Sequence, residues 1–172
     1  MESSEFRNLQ APLKDKYRTN PESALVTLRA SGNLGEGLTC KVETGRAFVE
    51  AGLHQASGGD GTLICSGDML LEALVGCAGV TMQAVSTAIG VEIREGKIKA
   101  EGDIDLRGTM AVSKDVPVGF KSIRLIFSLK TDAGEEQIKT LLKLTERYCI
   151  VFQTLVKGVP VTTEYSQQKL HE

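Results

Sequence analysis

Two cysteines in this 172-residue chain stand where a thiol could react. Cys77 lies inside SGDMLLEALVGCAGVTM (residues 66–82), an apolar stretch with Gly76 and Gly79 close on either side. A glycine in a helix interior costs roughly 1 kcal/mol relative to alanine, so the pair implies either a close packing contact or an opening toward the sulfur. Cys149 lies in TERYCIVFQTL, with Glu146 one helical turn before it and Arg147 and Tyr148 between. That supplies charge and hydrogen-bonding capacity beside a second thiol. Two thiols within reach of each other can cycle through a disulfide. The alternative for each is an inert small hydrophobe, because free cysteine is among the most buried residue types.

The other two cysteines, Cys40 and Cys65, form no CxxC pair, and the chain has two histidines, His54 and His171. A zinc site is not expected from this set, and no cofactor is implied. Cys40 alternates within a strand pattern and reads as packing. Cys65 reads as a loop residue ahead of the apolar stretch, with an alternative resolving role. His54 follows a strand and reads as a surface or interface residue.

The elements that must position these thiols follow from the patterning. Pro12 and Pro21 bracket at most one short helix in residues 9–20, part of an N-terminal arm over 1–23. ALVTLRAS, GLTCKVET and RAFVEAGL are short alternating runs, separated by SGNLGEG and TG. They predict a three-strand antiparallel meander, with Gly32, Gly35, Gly37 and Gly45 at its turns. QASGGDGTLICSG reads as a flexible connection, since the Lys/Ser follow-up of a phosphate loop is missing.

A helix over about 68–89 follows, capped by Ser66 or Asp68 and closed by Gly90, and apolar or small nearly all round. KIKAEGDIDLRG turns Ile98, Ala100, Gly102, Ile104 and Leu106 to one face. FKSIRLIFSLKT turns Ile123, Leu125, Phe127 and Leu129 to one face and pairs with it. Residues 134–156 predict one long helix whose stripe Ile138, Leu141, Leu142, Thr145, Cys149 and Phe152 points Cys149 inward. Antiparallel packing of the two helices would bring Cys77 and Cys149 together. The order argues an α+β fold with one domain over 24–165 and a tail over 166–172.

With 41% hydrophobic and 24% charged residues, the chain can bury one core. A formal net charge of −2 and a pI of about 5.8, with scattered basic residues, argue against nucleic acid or an anionic membrane as partner. Asp68 and Glu72 interrupt the longest apolar run, so a core helix rather than a spanning one is expected. MESSEFRNLQ lacks the pattern of a secretory signal, and a cytoplasmic location is expected.

The stretches SGDMLLEALVGCAGV, EGDIDLRG and TERYCIVFQTL, in this order after a meander and a glycine-rich loop, resemble the OsmC/Ohr family of thiol-dependent hydroperoxide reductases. The resemblance spans roughly residues 24–161. It implies an intertwined homodimer with its site at the subunit interface, an organic hydroperoxide as substrate and a dithiol as reductant. It implies Cys77 as the peroxidatic thiol and Cys149 as the resolving one. Asp68 matches the family's carboxylate. It stands nine residues before Cys77, or roughly 13 Å along one helix, so it would have to act on a partner's thiol. Otherwise it is a helix N-terminal acid. The family's turn arginine is absent from GNLGEG, leaving Arg29 and Arg46 as neighbours, and Ile150 follows Cys149 where proline is common.

The resemblance therefore implies a cysteine-based peroxidase, in which sulfenic acid on one thiol is trapped by the other. Leu71, Leu74, Val75, Val80 and Phe152 are expected to line an apolar pocket. The competing reading is a dimeric small-molecule-binding protein of the same fold with weak or no peroxidase activity. A hydrolase using Cys77 alone is a third.

Overall fold

Residues 66–89 carry acidic side chains only at Asp68 and Glu72, near the start, and in the computed structural model they form the helix on which the rest packs. The structure describes residues 3–20, 31–34, 40–43 and 48–167. Arg29, Arg46, the glycines at 35, 37 and 45, and most of ALVTLRAS lie outside them, as does the side chain of Cys40.

The chain begins with α1 (Ser3–Thr19), which runs through Pro12. This is longer than the expected short helix. A proline removes one backbone donor, and good helix formers on both sides tolerate that single loss. The meander follows as β1 (Ser31–Leu34), β2 (Cys40–Glu43) and β3 (Phe48–Gly52), with antiparallel pairing. Gly32 is in strand rather than turn, opposite Val42, because the ladder extends into SGNL. A 3-10 turn at Gln55–Ser57 is capped by His54, whose Nδ1 accepts from the Ala56 N–H at 3.1 Å.

β4 (Ile64–Cys65) then adds to β3 in parallel, Gly52 opposite Cys65. Cys65 is thus a strand residue and the N-cap of α2 (Ser66–Ile89), which has no side-chain cap. The expected Ser66 or Asp68 cap is not formed, because the helix starts earlier and both residues fall inside its first turn. Gly90 closes α2 in the left-handed conformation, with φ 73°.

β5 (Glu95–Ile104) and β6 (Phe120–Lys130) form a two-stranded antiparallel sheet. Ile123, Leu125, Phe127 and Leu129 share its half-buried face as expected. Leu106 does not extend β5: Asp105 accepts from the Arg107 N–H and caps a single turn, α3 (Leu106–Thr109). The outer face carries cross-strand ion pairs. Arg124 bonds Asp103, which also accepts from Ser122 at 2.7 Å, and these partners hold the Asp103 carboxyl down to about 2.

The predicted single C-terminal helix is two helices, α4 (Glu135–Tyr148) and α5 (Ile150–Lys157). Cys149, at φ −73° and ψ 111°, is extended and breaks them apart. Ile150, Val151 and Phe152 are poor helix formers, so helix continuity through this point has little intrinsic support. A ten-residue tail without regular secondary structure, 158–167, follows α5.

The core is narrower than the sequence implies. Leu74, Ala78, Met82 and Val85 of α2 are buried, with Val91, Leu141 and Cys149. Met82, Val85, Val91 and Leu141 pack as one cluster, with Phe127, Leu129 and Ile138 against it. The rest of the helix is not buried on most sides: Val80 is 73% exposed and Leu70 and Ile89 are also exposed. By length and composition α2 could cross a membrane, so Asp68 and Glu72 do not break the apolar run as expected; within this chain it lies against β5, α4 and α5.

Candidate functional site

The site is made where the middle of α2 meets the junction of α4 and α5. Cys149 ends one helix and starts the next: its N–H donates to the Thr145 carbonyl at 2.9 Å, and its own carbonyl accepts from the Gln153 N–H at 2.9 Å. The Gln153 side chain donates to the Glu146 carbonyl at 2.9 Å, tying α5 back onto α4. Thr145, buried, returns its hydroxyl to the Leu141 carbonyl at 2.8 Å. The bend is therefore held by bonds on both sides. It leaves the first amides of α5 without intrahelical partners, as at any helix start.

α5 packs on α2 here, and two of those amides act on the ionisation of Cys77. Burial pushes the Cys77 thiol up, but hydrogen bonds from the Val151 backbone N–H, the Cys149 side chain, the Ile150 backbone N–H and the Thr81 side chain outweigh it. The net result is a thiol that ionises below its ordinary value. A helix N-terminus is among the environments that do this to cysteine. Cys149 is shifted the other way. Burial raises it most, the Phe152 N–H opposes that, and the hydrogen bond to Cys77 together with the charge there raises it further. One sulfur is set to carry charge and the other to keep its proton.

Both thiols are free. Cys77 is half-buried and Cys149 fully enclosed, at 0% exposure. The expected convergence of Cys77 and Cys149 is thus present, and Cys149 points inward as expected. The expected neighbours of Cys149 are arranged differently. Glu146 is exposed and contributes its backbone carbonyl to Gln153, while the Arg147 guanidinium lies over the Tyr148 ring, 5.5 Å from its centre. Asp68 is exposed in the first turn of α2. Cys65, the N-cap of the same helix end, is half-buried beside Gly67, Phe120 and Ile104.

The two glycines flanking Cys77 separate in role. A Cβ on Gly79 would stand 3.3 Å from Ile98 Cδ1, so that glycine lets α2 settle on β5. A Cβ on Gly76 would meet nothing within 4 Å. Gly79 is explained by packing, not by access to the sulfur.

Beside the thiols lies a cavity of about 690 Å³, walled by the start of α2, the first half of β6 and the α4–α5 pair. Leu74 and Phe152 line it as expected, with Leu70, Ile123, Leu125 and Leu155, and Lys121 and Glu146 at polar points. Leu71, Val75 and Val80 do not line it: the helix presents a different face to β6, and Val80 faces outward. Missed in the sequence were Thr81 and the Ile150 and Val151 amides. Thr81 stands one turn after Cys77, a spacing that was legible. The amides depended on the helix break, for which the run of β-branched residues was the signal.

The sequence profile of the OsmC-like protein family matches residues 59–164. No curated protein matches the chain. Among solved structures, an OsmC-like protein of Mycoplasma pneumoniae is 16% identical, with a TM-score of 0.65 over 78% of this chain and 89% of that one. An organic hydroperoxide resistance protein, OsmC, of Legionella pneumophila is 15% identical, with a TM-score of 0.61 over 78% and 92%. The organic hydroperoxide resistance protein OhrB of Bacillus subtilis is 17% identical, with a TM-score of 0.55 over 78% and 93%. At these identities the structures speak for the fold, and the profile, covering more than half of the residues, makes this chain a member of the OsmC-like family.

Proposed function

We propose that the protein is a thiol peroxidase that reduces organic hydroperoxides. The observation that carries this reading is the opposite bias of two neighbouring cysteines, Cys77 toward thiolate and Cys149 toward thiol. Two of the similar structures belonging to organic hydroperoxide resistance proteins supports the substrate class.

In the proposed cycle the Cys77 thiolate attacks the terminal oxygen of ROOH. The S–O bond forms, the O–O bond breaks with its electron pair on the alkoxide, and the alkoxide takes a proton to leave as ROH. Cys77 is now a sulfenic acid. The Cys149 sulfur then attacks Cys77, the S–OH bond breaks, and the Cys149 proton leaves with hydroxide as water. A dithiol reductant reopens the disulfide and is itself oxidised to a disulfide. The cavity beside Leu74 and Phe152 would take the apolar part of the hydroperoxide.

The same reading includes a homodimer. Val80, 73% exposed on the side of α2 opposite its buried residues, marks a face that a second copy would cover. Asp68 would then act, if at all, on the second copy's Cys77.

Turnover of cumene hydroperoxide with dithiothreitol tests the reading. Wild type should turn over, Cys77→Ser should not, and Cys149→Ser should inactivate by over-oxidation after about one turnover. Full activity in Cys77→Ser would end it. The second reading, a dimeric small-molecule-binding protein, draws on one observation: the cavity is lined by apolar side chains without Cys77 among them. Tight binding of an apolar ligand, with no hydroperoxide turnover, would favour it.

A further inference from the structure

The cavity beside the thiols is apolar over most of its wall and carries one cationic side chain, Lys121. Lys121 comes to that wall through a break in strand register. β5 and β6 pair Asp103 with Ser122 and then Ile104 with Phe120, so Lys121 is an extra residue with no partner across the sheet. A bulge of this kind interrupts the strict alternation of the pleat and re-aims the side chains at it. Ser122 bonds Asp103 on the outer face, whereas Ile123, Leu125 and Phe127 line the cavity, which puts Lys121 on the cavity side two places before Ile123. Phe120 joins it there, its ring 3.5 Å from where a Gly67 Cβ would stand.

The charge on Lys121 is not spent within the chain. Lys121 has no ion-pair partner among the described residues. It is exposed, so its ammonium stays in water at the mouth while its stem covers apolar wall. Asp103 and Asp105, whose charges reach Lys121, are already bonded to Arg124 and Arg107. The other charged group of the cavity, Glu146, stands one turn before Cys149, at the thiol end. An acidic ligand is therefore repelled from the thiol end and drawn to the Lys121 end.

The two ends are well separated. Phe120 packs at Gly67, and Gly67 and Cys77 are ten residues apart on α2, or about 15 Å. A small hydroperoxide cannot reach both. A single lysine, with no second cation among the lining residues, matches a monoanion rather than a doubly charged phosphate.

We propose that Lys121 is a specificity-determining residue, holding the carboxylate of a long-chain acid whose hydroperoxide group lies farther along the chain, within reach of Cys77. The inference rests on the peroxidase reading for the reaction, but not for binding of the acid.

Linoleic acid hydroperoxide, its methyl ester and cumene hydroperoxide, each below its aggregation concentration, are compared as substrates of the full chain. A charge-assisted hydrogen bond at a partly exposed site corresponds to about tenfold in affinity. Wild type should therefore show a KM about tenfold lower for the acid than for the ester. Lys121→Met keeps most of the stem and removes the charge. It should raise the KM for the acid about tenfold, with kcat unchanged, and leave the ester and cumene hydroperoxide as in wild type. Lys121→Arg should keep the preference for the acid, and raised salt should shrink it.

Equal KM values for acid and ester in wild type, or a preference for the acid that survives in Lys121→Met, overturn the proposal and leave the peroxidase reading standing. No turnover of cumene hydroperoxide by wild type overturns that reading instead. Equilibrium binding of unoxidised linoleic acid and its methyl ester then decides the role of Lys121: a preference for the acid that Lys121→Met loses upholds it, and equal binding overturns it.

Discussion

Cys149 stands beside Cys77, and that proximity moves the two thiols in opposite directions. Cys77 gains a donor and ionises more readily. Cys149 gains a neighbouring charge, on top of full burial, and holds its proton. A pair of equivalent thiols would form a disulfide equally well, but would not divide the work of attacking and resolving.

That division predicts selective labelling. Limiting iodoacetamide at pH 6.5 should modify Cys77 at least about tenfold faster than Cys149, since only the thiolate reacts and only Cys77 is open to solvent. Peptide mapping reads the result. In denaturant the two should react alike, and equal labelling of the native protein would contradict the assignment.

Ile150 provides a second test of the thiolate site. It is the first residue of α5, it is 70% exposed, and Cys149 before it has the extended backbone that precedes proline comfortably. Ile150→Pro should therefore fold, while deleting one N–H donor to Cys77. The pH midpoint for alkylation of Cys77 should rise, with the thermal midpoint unchanged or higher.

Stability should follow pH through the same pair. Below the ordinary thiol value of 9.0 and above the lowered Cys77 value, the unfolded chain holds a proton that the native chain has released. Native stability then rises with pH over that interval, and is lost as pH falls through the Cys77 value. Cys149 acts in reverse: above 9.0 the native chain retains a proton that the unfolded chain has lost, so its contribution falls as pH rises through the raised value. Urea denaturation from pH 6 to 11 should show Cys77→Ser losing the rise and Cys149→Ser losing the fall.

Much of this was legible in the residues, and the part that was not has a physical cause. The alternation in β6 gave its buried face directly, because Arg124, Ser128 and Lys130 tolerate only the solvent side of a two-stranded sheet. The helical stripe through Leu141, Thr145 and Cys149 also predicted burial correctly. The same stripe concealed the break, since Cys149 keeps the inward direction whether the helix continues or restarts. The flanking charges Glu146 and Arg147 looked like activators, whereas backbone amides supply the donors. Amides have no sequence signature until the helix end is known. On α2, apolar composition all round was read as all-round burial, but a single chain covers one stripe only.

The glycines turn that last point into a contrast. Gly76→Ala meets open space and should stabilise an isolated chain by roughly 1 kcal/mol through helix propensity. Gly79→Ala presses on Ile98 and should gain less or lose. Should a second copy pack over the open side of α2, the Gly76→Ala gain disappears at high protein concentration. Thermal melts at two concentrations with light scattering resolve the cases.

The central claim is that Cys77 and Cys149 form one redox pair, and peptide mapping after oxidation tests it most directly. Reduced protein treated with one equivalent of cumene hydroperoxide and digested without reductant should yield the 77–149 disulfide-linked peptide, with two thiols consumed per peroxide. Recovery of both residues as free thiols, or of Cys77 joined to Cys65 instead, would contradict the account.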